Sequence, residues 1–284
     1  MHKETQKTRN QFSVKNKSIL ISLILFVINI FVVRGETTIS TNHQPHIAVL
    51  GDSMSFIGGE NCDKPISWTY HFKNTVMPAS INLYARSGAT WTNTENTQID
   101  IEGFSRILND NNVIFNQVLR LRHDLENGNI VAPDIIIVYA GANDAWFESQ
   151  RPGCKNSPES DLSKVSTDDF PSERTTLRES VALSLKKLQE VSPSSRLLIV
   201  TPVQMSKVTE KQVHEISDII ANTALELNCD VIRADNLVGI SHDIEKAKPK
   251  YTSDGVHTNE AGAVLIADVI SDYCLKNYFN NKGL

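Results

Sequence analysis

The sequence predicts an α/β fold built on a doubly wound parallel sheet, and two observations carry that expectation. After a polar stretch from Glu36 to Gln44, short apolar runs alternate with longer segments of helical period, the pattern of strands joined by helices on both faces of a sheet. The run Ile135 to Val138 is also continuous and apolar between Pro133 and Gly141, as a central strand buried on both sides requires. Five strands are expected: His46 to Leu50, Ser80 to Ala85, Ile135 to Tyr139, Leu197 to Thr201 and Val231 to Ala234. The helical periods fall near Trp68 to Val76, Ser105 to Glu126, Glu173 to Val191, Glu210 to Leu227 and Asn259 to Tyr278. No repeat or second domain is visible, and the one long irregular stretch, Phe147 to Pro171, exceeds what a simple connection needs.

The N-terminus reads as a targeting segment. Residues 1–17 carry five basic residues against one acid and lead into the apolar run Ile19 to Val33, which is shorter than the roughly 20 residues of a spanning helix. Val33-Arg34-Gly35 then supplies small residues for cleavage. Residues 1–35 are expected to be a signal peptide, 36–45 a linker and 46–284 the folded domain. An uncleaved N-terminal anchor is the alternative, and either way the remainder is exported, to the periplasm or beyond the cell.

Removing residues 1–35 takes away six basic residues and one acid, so the net charge moves from −5 to −10. That balance argues against nucleic acid and acidic lipid surfaces as partners. The even number of cysteines, Cys62, Cys154, Cys229 and Cys274, suits disulfides in an exported chain. The favoured pairs are Cys62 with Cys154 and Cys229 with Cys274, the alternative being four buried thiols. No two cysteines have metal-ligand spacing, which argues against zinc.

The chemistry concentrates at strand ends, where open parallel sheets gather reactive groups. The first strand ends in Gly51-Asp52-Ser53, a turn that would present a serine hydroxyl and that demands a base elsewhere. By itself this is equally a turn with a helix cap. The second strand ends in Ser87-Gly88 and the third in Gly141-Ala142-Asn143-Asp144. The Ser53 N–H, the Gly88 N–H and the Asn143 amide would together form a donor set for an oxyanion. Asp254 and His257 lie three residues apart around Gly255, ahead of a last helix capped by Thr258 or Asn259. In that spacing the carboxylate can fix the imidazole tautomer and leave Nε2 for the serine. The other histidines, His214 among them, lack this arrangement and read as surface or packing residues.

Taken together, these four blocks resemble those of the SGNH (GDSL-like) hydrolases, in order over residues 47–262. The resemblance implies a flavodoxin-like three-layer α/β/α sandwich, with no metal or other cofactor. It also implies ester hydrolysis through an acyl-enzyme: Ser53 as nucleophile, His257 as base, Asp254 orienting it, and Ser53, Gly88 and Asn143 holding the oxyanion. Met54 departs from the Leu that many members carry, at a packing position.

Trp91 and Trp146 follow the second and third blocks and are candidates for contact with a sugar ring or an acyl group, with packing as the alternative. The acidic chain lacks an amphipathic lid helix, which favours short acyl groups such as acetyl, on a small-molecule or carbohydrate ester. A lysophospholipase, lipase or thioesterase is the alternative within the family. Two rivals from other classes are a metal-dependent phosphoesterase using Asp52, Asn143, Asp144 and His257, and a non-catalytic carbohydrate-binding protein.

Overall fold

The computed structural model describes residues 44–103, 105–155 and 160–279. The expected signal peptide, and all of the linker before residue 44, lie outside them. Five strands, β1 (His46–Gly51), β2 (Ser80–Leu83), β3 (Ile135–Tyr139), β4 (Arg196–Val200) and β5 (Asp230–Ile232), form one sheet in the order β2-β1-β3-β4-β5. Every pairing is parallel. Side chains alternate across it because successive residues of a strand point to opposite faces. Ala48, Leu50, Ile136 and Val138 enter one core, while Ile47, Val49, Ile135, Ile137 and Tyr139 enter the other. Both faces of the central strands are thus buried, which is why the run at residues 135–138 reads as continuously apolar.

The helices are α1 (Ser53–Phe56), α2 (Trp68–Val76), α3 (Ile114–Glu126), α4 (Ala142–Trp146), α5 (Leu177–Val191), α6 (Glu210–Glu226), α7 (Ala234–Leu237), α8 (His242–Ala247) and α9 (Glu260–Cys274). Helices α3, α5 and α6 pack on the first core through Ile114, Val118, Val181, Leu185, Val213 and Ile216. Trp68 and Phe72 of α2 and Ile266 and Ile270 of α9 pack on the second. The result is the expected three-layer sandwich. Its ends are set by side chains that take up free amides: Ser67 caps α2, Thr176 caps α5, Thr209 and Gln212 form a capping box on α6, and Asn259 caps α9.

Helix α3 starts at Ile114, not near Ser105. The Asn109 side chain accepts hydrogen bonds from the amides of Asn111 (2.9 Å) and Asn112 (3.0 Å), and Thr90 bridges Val113. Local side-chain bonding of this kind competes with helix. Leu162 and Val165, from the irregular stretch after α4, form a third small core with Phe115, Leu119, Ala182 and Leu183. The four cysteines are free and buried, which overturns both expected pairs. Cys229 sits in the first core and Cys274 in the second, so the sheet separates them, while Cys154 belongs to the first core and Cys62 to neither.

Candidate active site

Strand order reverses between β1 and β3, and an open parallel sheet binds its ligand at that switch point, beyond the carboxyl ends of the strands. Gly51-Asp52-Ser53 leaves β1 there and Gly141-Ala142-Asn143 leaves β3 beside it. Gly51, at φ 151°, lies so close against the Tyr139 carbonyl that a side chain would collide with it. Gln117 of α3 clamps the turn from the other side: its Oε1 accepts from the Gly51 N–H (2.8 Å) and its Nε2 donates to the Gly51 carbonyl (2.9 Å). Asp52 caps α1 by accepting from the Met54 amide (3.0 Å). Ser53 is then the first residue of α1, 5% exposed, and its hydroxyl makes no hydrogen bond with the described residues.

Gly88 takes φ +79° with the Ile107–Leu108 backbone packed against it, a position a Cβ would fill. Asn143 Nδ2 donates to the Ala89 carbonyl (2.9 Å), which fastens the third block to the second and leaves the amide's other hydrogen uncommitted. The neighbouring Asp144 does more of the fastening. Its carboxylate accepts from Trp91 N (3.0 Å), Thr92 N (2.9 Å) and Thr92 Oγ1 (2.6 Å).

The Asp254 carboxylate accepts three bonds: from the amides of Val256 (2.9 Å) and His257 (2.8 Å) on Oδ1, and from His257 Nδ1 (2.7 Å) on Oδ2. Gly255 permits the turn between them at φ +88°, and its carbonyl accepts from the Ser206 amide (2.8 Å). A second carboxylate, Glu245 of α8, is 1% exposed and receives the amides of Lys250, Tyr251 and Thr252, holding the chain that leads into this turn.

Electrostatics distinguish the acids. Burial pushes the Asp254 carboxyl up, but hydrogen bonds from the His257 ring and the two amides outweigh it and hold it below the usual range. Asp52 is buried with a weaker bonding shell, and burial, with Asp144 nearby, raises it to about 7. The His257 charge also acts on Asp52, so the imidazole lies within electrostatic reach of the turn that carries Ser53.

Ser53 and Asn143 follow the carboxyl ends of the neighbouring strands β1 and β3, and His257, bonded to Asp254, lies within electrostatic reach of Asp52. Trp91 does not join them: it is fully buried in the first core, so it packs rather than offering a ring face to a ligand. Trp68 is likewise buried and donates to Ser55 Oγ (3.1 Å). Trp146 stays half-buried at the end of α4, stacked on Phe147 with ring centroids 5.0 Å apart. Gln117 and Glu245 escaped the sequence reading, as did the fastening role of Asp144, because Gln117 and Asp144 act across 66 and 52 residues and Glu245 carries no local motif. Among the described residues, no group of three or more His, Cys, Asp or Glu side chains is arranged to hold a metal ion. Asp144, one of the ligands a metal site would have used, is already committed to Trp91 and Thr92.

Residues 49–265 match the model of the GDSL-like lipase/acylhydrolase family. Three solved structures illustrate the likeness in fold. A protein from Lactobacillus plantarum is 18% identical, with 84% of this chain and 99% of that one covered at a TM-score of 0.58. A possible lipase from Chitinophaga pinensis is 14% identical over 82% and 98% of the two chains, at 0.53. A candidate GDSL-like lipase from Bacteroides ovatus is 15% identical over 83% and 100%, at 0.53. A search of curated proteins returned no match.

Proposed function

The chain belongs to the GDSL-like lipase/acylhydrolase family, and we propose that it is a serine esterase that works through an acyl-enzyme on Ser53. The observation that carries this reading is the Asp254–His257 bond of 2.7 Å from Oδ2 to Nδ1. With Nδ1–H bound to the carboxylate, the neutral ring keeps its lone pair on Nε2, the tautomer a general base needs.

Ser53 Oγ attacks the ester carbonyl while His257 Nε2 takes its proton. The resulting oxyanion is met by the N–H groups of Ser53 and Gly88 and by the uncommitted hydrogen of Asn143 Nδ2. Collapse breaks the bond to the alcohol, which leaves with the proton from Nε2. Water then attacks the acyl-enzyme, His257 takes its proton, and the acid departs with Ser53 restored.

We assign the preference to short acyl groups, acetyl first, on a carbohydrate or other small polar alcohol. The support is the acidic chain and the polar surroundings of Trp146. A basic leader followed by a short apolar run supports export, with removal of residues 1–35. The test is hydrolysis of p-nitrophenyl acetate, butyrate, octanoate and palmitate, with Ser53→Ala alongside. Turnover that is highest on acetate and falls by orders of magnitude in the variant is expected. Preference for palmitate would move the protein to the lipases, and turnover unchanged in Ser53→Ala would remove Ser53 from the mechanism.

A further inference from the structure

Between α4 and the first turn of α6 lies a cavity of about 470 Å³ lined by Trp146, Glu148, Ser149, Lys155 and Gln212 among others. Its volume falls in the range of small-molecule sites. Trp146 follows Asn143 by three positions on α4, and residues so spaced are neighbours on a helix, about 5–6 Å apart at Cβ. The cavity therefore opens about one helical turn along α4 from Asn143, the residue assigned to the oxyanion.

Its walls are fixed by one another. Lys155 Nζ pairs with Glu148 Oε2 (2.9 Å) and with Glu215 Oε2 (2.8 Å). Gln212 Nε2 donates to Glu148 at 3.5 Å while its Oε1 caps α6. Phe147 braces the Trp146 ring, with the two planes 17° apart. Glu148 and Lys155 cancel in charge, and Lys155 is already held by two carboxylates, so the cavity offers no spare cation for an anionic ligand. An apolar acyl chain would strip water from several polar side chains without replacing its hydrogen bonds. A ligand with an apolar C–H face for the indole and hydroxyls for the rim satisfies both halves of the lining.

We propose that this cavity binds a neutral pyranose ring of the substrate's alcohol portion, with Trp146 as the platform and Glu148, Ser149, Lys155 and Gln212 as hydroxyl partners. As the alcohol side of an ester site, it rests on the esterase reading above.

The test is titration calorimetry of the full chain carrying Ser53→Ala with xylotriose, cellotriose and mannotriose, repeated with Trp146→Ala and, separately, with Ser149→Trp added. The second substitution fills the cavity from an exposed position, so it serves if the first destabilises the protein. Binding of at least one trisaccharide, weakened at least ten-fold by either substitution in a folded variant, is expected. No binding of any of the three, or binding that both folded variants retain, overturns the proposal. Fluorophosphonate labelling of the unsubstituted chain is read alongside. Labelling without sugar binding would sink the subsite and leave the esterase standing, whereas sugar binding at Trp146 without labelling would do the reverse.

Discussion

Two histidine–aspartate pairs of nearly equal length differ in what the second ring nitrogen touches. His257 Nδ1 meets Asp254 at 2.7 Å and His214 Nδ1 meets Asp235 at 2.8 Å. In the second pair, Asp235 also accepts from Thr201 Oγ1 (2.8 Å) and from Arg233 Nε (2.9 Å) and a terminal guanidinium nitrogen (2.7 Å). These bonds outweigh its burial and hold its carboxyl below the usual range. The far nitrogen of His214 is occupied too, 3.3 Å from both Gln204 Nε2 and Glu210 Oε1. That ring is pushed up chiefly by its bond to Asp235 and is a structural link between α6 and the ends of β4 and β5. His257 has no second partner of this kind among the described residues, and its Nε2 is left for chemistry. The bond to a carboxylate is common to both, so what the other nitrogen touches decides the role.

The largest effect should separate the two histidines. His257→Ala is expected to lower kcat/KM on p-nitrophenyl acetate by about a thousand-fold or more, and His214→Ala by less than about ten-fold. Steady-state kinetics of the two purified variants measures the contrast, and comparable losses would erase the distinction drawn here. Next, Asp254→Asn should cost about a hundred-fold or more in kcat, because the amide no longer imposes the required tautomer, with little change in melting temperature.

Asp235→Ala should behave the other way round. It leaves the Thr201 hydroxyl and the His214 ring without their carboxylate, while Arg233 keeps its pair with Asp218 (2.7 Å), so a stability loss of about 1–3 kcal/mol is expected in urea denaturation. An Asp235→Ala protein as stable as the parent would mean that this second network is not structural.

How much of this could be read from the sequence depended on distance along the chain. Asp254 and His257 are three residues apart and the strand-end blocks are contiguous, so their chemistry was visible as motif. The strands were legible for a related reason: the continuous apolar runs of β1 and β3 are local consequences of burial on both faces. Asp235 and His214 are 21 residues apart, and nothing local distinguishes their pairing from two surface residues. The same holds for Gln117 at Gly51 and Asp144 at Thr92, which fix the turns the motifs only name. The expected disulfides failed because parity and compartment say nothing about which face of the sheet a cysteine occupies. Helix α3 is shorter than its helical period suggests because the period runs on through Asn109 and Asn112, whose side chains bind the Asn112 amide and the Ser87 carbonyl instead.

A smaller effect concerns the acid before the nucleophile. Asp52 is fully buried and titrates near 7 in the folded chain against an ordinary 3.8. Between those values the folded state binds more protons than the unfolded one, so stability falls as pH rises through this window. Below about pH 4 both states are protonated and the penalty disappears; above about pH 7 it is complete. Asp52→Asn retains the oxygen that caps α1 and cannot ionise. It should therefore melt higher than the parent at pH 8, with the gain shrinking toward pH 4, as thermal unfolding across pH would show. A gain that does not vary with pH would mean that Asp52 is not the ionising group.

Whether Ser53 and His257 work as a pair is read most directly from the rate and site of reaction with a fluorophosphonate, followed by peptide mass spectrometry in the parent, His257→Ala and His214→Ala proteins. A single phosphonylated residue, Ser53, is expected, labelled at a similar rate in the parent and His214→Ala and far more slowly in His257→Ala. Modification at another serine, or equal rates in all three proteins, would contradict the assignment of Ser53 and His257 as a working pair.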